Sequence, residues 1–160
     1  MKVKVPFRKY SPLELYLEGG SVPQDWVDSL LLTRSKEHKA FLYRLSVLSN
    51  PVRVGAKIRT KKKLISASDK IEHAIYAGCN FHKEEGTDLS DKYLALLEIP
   101  NPTILMSMKD IESAVPKVNK FAHIRLNDER EYLILGPVVG KVIQLVDKKI
   151  LKGRKFYKLI

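Results

Sequence analysis

Short apolar runs, each cut off by turn-forming residues, constrain this chain more than any other feature. Phe41 to Leu48, Tyr93 to Ile99 and Val139 to Val146 each have strand length and are too short for typical helices. Asn50-Pro51 follows the first run, Pro100 and Pro102 follow the second, and Gly136-Pro137 precedes the third. Neighbouring short strands with such breaks predict an α+β chain with mixed or antiparallel sheets, not a doubly wound parallel fold.

The segments between fill in the order. Asp25 is placed to cap a helix running to about Lys36, with Trp26, Val27, Leu30 and Leu31 on one face. Val54-Gly55 opens a second extended piece ending in Lys63 to Ser68. Ser68 or Asp69 then caps a helix striped by Ile71, Ala74 and Ile75, with Gly78 as its stop. Phe81 to Asp91 is polar and contains glycine, so it reads as a loop. Thr103 to Met108 is short and extended, and Asp110 to Ala114 is one helical turn before Pro116. Late strands are expected at about Arg130 to Leu135, Val139 to Val146 and Arg154 to Leu159. One domain over 1–160 with a helical N-terminal part, about 1–40, accounts for the length.

A hydrophobic share of 44% supports a packed core and argues against general disorder. Cys79 is the single cysteine, which excludes an intramolecular disulfide. The N-terminal ten residues lack the apolar centre of a signal peptide. No apolar run approaches the roughly 18 residues of a membrane helix. These features predict a soluble monomer acting in a cytoplasm, with no membrane partner. The net charge of +11 attracts polyanions: nucleic acid, phosphate-rich small molecules or acidic protein surfaces. Basic residues gather at Lys57, Arg59, Lys61, Lys62 and Lys63, and again at Lys148, Lys149, Lys152, Arg154, Lys155 and Lys158. Both groups read equally as solvated strand ends or as a binding face. The four histidines and Cys79 are too scattered for a metal site, and no glycine-rich phosphate loop is present.

Polar residues interrupt the apolar pattern at three places. Arg44 lies within Phe-Leu-Tyr-Arg-Leu-Ser-Val-Leu, where an unpartnered charge is costly. Ser66-Ala67-Ser68 stands at a strand-to-helix junction, and its two serines share a strand face. Glu129-Arg130-Glu131 leads into Tyr-Leu-Ile-Leu-Gly-Pro, and its two glutamates share a face if the strand begins that early. Each has an ordinary structural reading: a buried ion pair, a helix cap and a solvated strand edge.

In this order, the three motifs resemble the Arg-Ser-Glu class of mono-ADP-ribosyltransferases, most of all those of T-even phages that modify host proteins. Val54-Gly55-Ala56-Lys57-Ile58 is similar to that class's lead-in to the serine motif. Leu96-Leu97-Glu98-Ile99-Pro100 and Glu131 to Pro137 are similar to later strands. The resemblance covers roughly residues 38 to 160. Leu45 stands where many members have glycine, and Ala67 where threonine is commoner.

The resemblance implies two packed sheets forming a cleft, with NAD as substrate and no metal. It implies that Glu131 stabilises the ribosyl cation and that Glu129 meets the acceptor, which points to arginine. Arg44 would bind the pyrophosphate and Ser66 would hold Glu131. Leu45, Ala67, Ser68 and one of Tyr76 or Phe81 would complete the NAD site. The partner would be an acceptor protein, acidic or RNA-associated, such as a host polymerase or ribosome. An NAD glycohydrolase with the same site and a basic nucleic-acid-binding module are the alternatives.

Overall fold

The computed structural model describes residues 9–85 and 90–147, and side chains over those ranges except 80–85. The expected strand Arg154 to Leu159 and the basic C-terminal cluster lie outside the described residues. Five helices and seven strands make up the described part. The chain is α+β, and its strands form one sheet, ordered β2-β7-β4-β1-β3-β6-β5, with every neighbouring pair antiparallel. The expectation of two packed sheets is therefore corrected to one continuous seven-stranded sheet.

The sheet is not uniformly knit. β1 (Phe41–Leu48) pairs with β4 (Tyr93–Pro100) at eight successive positions, from Phe41↔Pro100 to Leu48↔Tyr93. On its other side β1 meets β3 (Leu64–Ser68) at Tyr43↔Ser68. β3 pairs along its full length with β6 (Glu131–Leu135). The junction between β1 and β3 thus divides the sheet into two well-paired halves. One half is β2 (Lys57–Arg59), β7 (Val139–Val146), β4 and β1. The other is β3, β6 and β5 (Ile104–Met106).

β4 is central, and Leu94, Ala95, Leu96 and Leu97 are all buried. Alternate residues of a strand point to opposite faces, so a run of this kind requires cover on both sides. On one side α3 (Ile71–Glu85) packs Ile75, Tyr76 and Cys79 against Leu45 and Leu94. On the other, Leu48, Val52, Ala56 and Ile58 close over Ala95, Leu97 and Val142. The β3–β6–β5 half is covered by α1 (Pro12–Leu17), α2 (Gln24–Leu32), α4 (Met108–Ala114) and α5 (Lys120–Glu129). Leu13, Val27, Leu30, Ile111 and Leu126 from these helices meet Leu64, Leu105 and Leu133.

Several expected boundaries move. Gly78 does not stop α3, which continues to Glu85, so the first part of the expected loop Phe81 to Asp91 is helical. Glycine is required at 78 for space, since a Cβ there would come within 2.6 Å of the Leu45 Cβ. Pro23 occupies the N-cap position of α2 without a side-chain cap, Asp25 lies inside the helix, and the helix ends at Leu32, before Lys36. The extended piece from Val54 to Ser68 is two strands at different places in the sheet. β2 pairs with β7 at one edge, and β3 lies beyond β1.

Candidate functional site

The site forms at the junction where β1 and β3 part. Arg44 follows Tyr43, the β1 residue paired to β3. Its Nη1 donates to the Ser66 carbonyl at 2.7 Å, so the guanidinium bridges the two halves of the sheet. A main-chain carbonyl is a strong acceptor, and Arg44 supplies a donor to this one. Its remaining N–H groups leave capacity for further acceptors.

Glu131 is the first residue of β6 and sits directly across from Ser68. Ser66 is its diagonal neighbour on the same face, within side-chain reach. The Ser66 hydroxyl thus faces the Glu131 carboxyl and favours its ionised form. Tyr16, on α1, brings its hydroxyl to 3.0 Å from Ser66 Oγ. Residues from β1, β3, β6 and α1 therefore converge on one point.

The electrostatics of this point are under tension. Burial pushes the Glu131 carboxyl above its ordinary range, while the Ser66 hydrogen bond and the charges of Arg125 and Arg44 pull it back in part. Burial likewise works against the Arg44 charge, with Tyr16 and Glu131 opposing that effect. Burial also raises Tyr16, which keeps its phenol protonated. A carboxyl and a guanidinium that share a site yet are both disfavoured as ions mark a candidate functional centre.

Glu129 is placed otherwise than its spacing suggested. The pair Glu129 and Glu131 does not share a strand face, because Glu129 ends α5 and β6 begins only at Glu131. Between them Arg130 takes the left-handed conformation, with φ 48° and ψ 56°. Glu129 is 6% exposed, and its Oε1 accepts from Arg125 Nε at 3.1 Å across one helical turn. The expectation of a late strand from Arg130 shifts by one residue for the same reason.

The other expected residues divide. Ser68 is 1% exposed, and its Oγ accepts from the Lys70 backbone N–H at 3.4 Å, the local turn that leads into α3. Ala67 is buried and packs with Leu42, Tyr132 and Ile134. Leu45 is held in the β1–β4 ladder opposite Leu96, with its side chain under α3. Tyr76 packs in that same apolar cluster. The side chain of Phe81 lies outside the described residues.

Two groups were missed by sequence reasoning. Tyr16 was one, although Ser11-Pro-Leu-Glu14 carries the serine-to-glutamate spacing of a capping box, which signals the α1 helix. The second is a clasp beside the site. Arg130 Nε and Nη2 meet the two Asp69 oxygens at 2.6 and 2.7 Å. Although burial pushes the Asp69 carboxyl up, the Arg130 hydrogen bonds and charge hold it below its ordinary value. The clasp joins the β3–α3 turn to the α5–β6 turn, and so fixes both segments that carry the site.

Among the described residues, no group of three or more His, Cys, Asp or Glu could hold a metal ion. No described helix is long and apolar enough to cross a membrane. No protein-family model, no curated protein and no solved structure matches this chain.

Proposed function

We propose that this chain is an NAD-dependent mono-ADP-ribosyltransferase with an ADP-ribosyltransferase-like fold. The observation that carries the reading is the convergence of Arg44, Ser66 and Glu131 from three strands at the divided junction of the sheet. The split between well-paired halves supports the fold reading as the base of a cleft.

NAD carries a cationic nicotinamide on C1 of a ribose. Cleavage breaks the C1–N bond, and nicotinamide departs neutral with the bonding electrons. The remaining ribosyl cation has oxocarbenium character and is stabilised by a facing carboxylate. Glu131 has this role, and the cationic substrate favours its ionised form against the effect of burial. Ser66 orients the carboxylate. Arg44 meets the pyrophosphate with N–H groups not used on Ser66, a task suited to a guanidinium fork. An acceptor nucleophile then forms a bond to C1, and its proton passes to solvent water.

The acceptor is a protein side chain, with arginine the choice indicated by Glu129. The ion pair of the buried Glu129 with Arg125 favours a second reading, an NAD glycohydrolase in which water is the acceptor. Incubation with NAD labelled in the ADP-ribose part, with and without bacterial lysate, tests both. Labelled protein that disappears with Glu131→Ala supports the transferase. Nicotinamide release without protein labelling supports the glycohydrolase. Neither product from the folded wild-type chain overturns the NAD reading.

A further inference from the structure

We propose that Tyr16 is a positioning residue of the site, acting through Ser66 on Glu131. The role of Glu131 in NAD cleavage rests on the preceding proposal, but the Tyr16–Ser66–Glu131 connection follows from the Tyr16–Ser66 contact and from the strand register that sets Ser66 diagonal to Glu131. A serine hydroxyl has one proton. When that proton is donated to the Glu131 carboxylate, Ser66 Oγ is left as acceptor. The Tyr16 hydroxyl, 3.0 Å away, is the donor that completes the chain.

Tyr16 is well held for this purpose. Its ring packs with the core under α1 that includes Leu13, Leu64 and Leu133. The preceding turn is fixed by Glu14, which is 1% exposed. Glu14 Oε1 accepts from the Ser11 backbone N–H at 3.1 Å, and Glu14 Oε2 accepts from Asn119 Nδ2 at 2.7 Å. Asn119 in turn caps α5, where its Oδ1 accepts from the Ala122 N–H at 3.1 Å. One polar network thus ties α1 to the start of α5, and the end of α5 leads into Glu131. The short N-terminal helix therefore serves as one wall of the site.

The groups that face the Glu131 carboxyl come from three elements: Ser66 on β3, Arg44 on β1 and Arg125 on α5. Tyr16 on α1 stands behind Ser66. A hydrogen bond that ends on an ion is stronger than its neutral counterpart, so the chain favours the carboxylate form. Tyr16→Phe keeps the ring and removes only the donor. The expected result is a rise of about 0.5–1 in the midpoint pH of Glu131, followed by NMR of 13C-labelled glutamate carboxyls. The same change in a Ser66→Ala background is expected to move that midpoint by less than a third as much, because the connecting hydroxyl is gone.

Two readouts separate this inference from the functional one. The NMR titration needs no turnover. If wild-type protein turns over NAD, Tyr16→Phe should also move the acid limb of the pH–rate profile upward by a similar amount. An unchanged Glu131 midpoint in Tyr16→Phe overturns the positioning role. So does an equal shift in the presence and absence of Ser66. Failure of NAD turnover with the titration behaving as stated overturns only the function.

Discussion

Two ionic groups lie next to each other in the chain and behave in opposite ways. In the Asp69–Arg130 clasp, two parallel hydrogen bonds satisfy both partners, and each ion is favoured. One residue further, Glu131 is pushed toward its neutral form and Arg44 is held against burial. Both groups combine a carboxyl with a guanidinium, so composition does not distinguish them. Geometry does. Arg130 points its fork at Asp69, whereas Arg44 donates to the Ser66 carbonyl. The clasp contributes stability, and the neighbouring cluster holds a carboxyl and a guanidinium whose charged forms burial disfavours. That division is the signature expected where folding holds a reactive group in place.

The sharpest test of this contrast is Glu131→Gln. On the proposed reading, NAD cleavage falls by about 100- to 1000-fold, the usual loss when one stabiliser of developing charge is removed. Stability is expected to move the other way. A carboxyl whose folded pKa is raised contributes stability below its ordinary value of 4.5 and loses it as pH rises through the raised value. The neutral glutamine escapes that loss. Thermal unfolding should therefore show a higher Tm for Glu131→Gln than for wild type at pH 8, with the difference closing toward pH 4. A lower Tm at pH 8 would place Glu131 with the clasp, as a structural ion.

Asp69→Asn probes the other side. The clasp side chains are 10% and 29% exposed, so the loss should be about 1–3 kcal/mol by urea unfolding at neutral pH. The pH dependence has the opposite sense to that of Glu131. A carboxyl with a lowered folded pKa contributes stability above its ordinary value of 3.8, and this is lost as pH falls through the lower folded value. Wild type and Asp69→Asn should therefore converge in stability only in strong acid. An equal gap at pH 2 and pH 7 would show that the loss comes from something other than the ion pair.

The parts of this arrangement that were legible in the sequence are those with a local signature. Phe41 to Leu48 and Val139 to Val146 became strands with those limits, because apolar runs between breakers leave little other choice. Arg44 and the Ser66 motif stood out as polar intrusions into that pattern. Helix α5 did not. Its inner face is set by Ala122 and Leu126, while Phe121 and Ile124 are exposed, so no clear stripe marks it. Its end lacks the glycine that commonly takes the left-handed position, since Arg130 fills it. Without that helix, Glu129 and Glu131 looked like strand neighbours. Gly78 misled in the reverse direction: its cause is the Leu45 side chain, 33 positions away in the numbering, and no local rule conveys that contact. Tyr16 reaches Ser66 across a separation of 50 residues, which only the tertiary fold creates.

Arg130 allows the finest test, because it combines the favourable ion pair with an unfavourable backbone. A left-handed φ of 48° costs a residue with a Cβ about 1 kcal/mol more than it costs glycine. Arg130→Ala loses the clasp and retains that cost. Arg130→Gly loses the clasp and escapes it, though the unfolded chain gains freedom in return. Both variants should be less stable than wild type, with the alanine variant lower than the glycine variant by about 0.5–1 kcal/mol. Such an order in urea midpoints at equal m-values would assign the turn its own share of the cost, separate from the ion pair. If alanine equals or exceeds wild type in stability, the clasp contributes nothing net, and the contrast between the two ionic groups fails at its stable end.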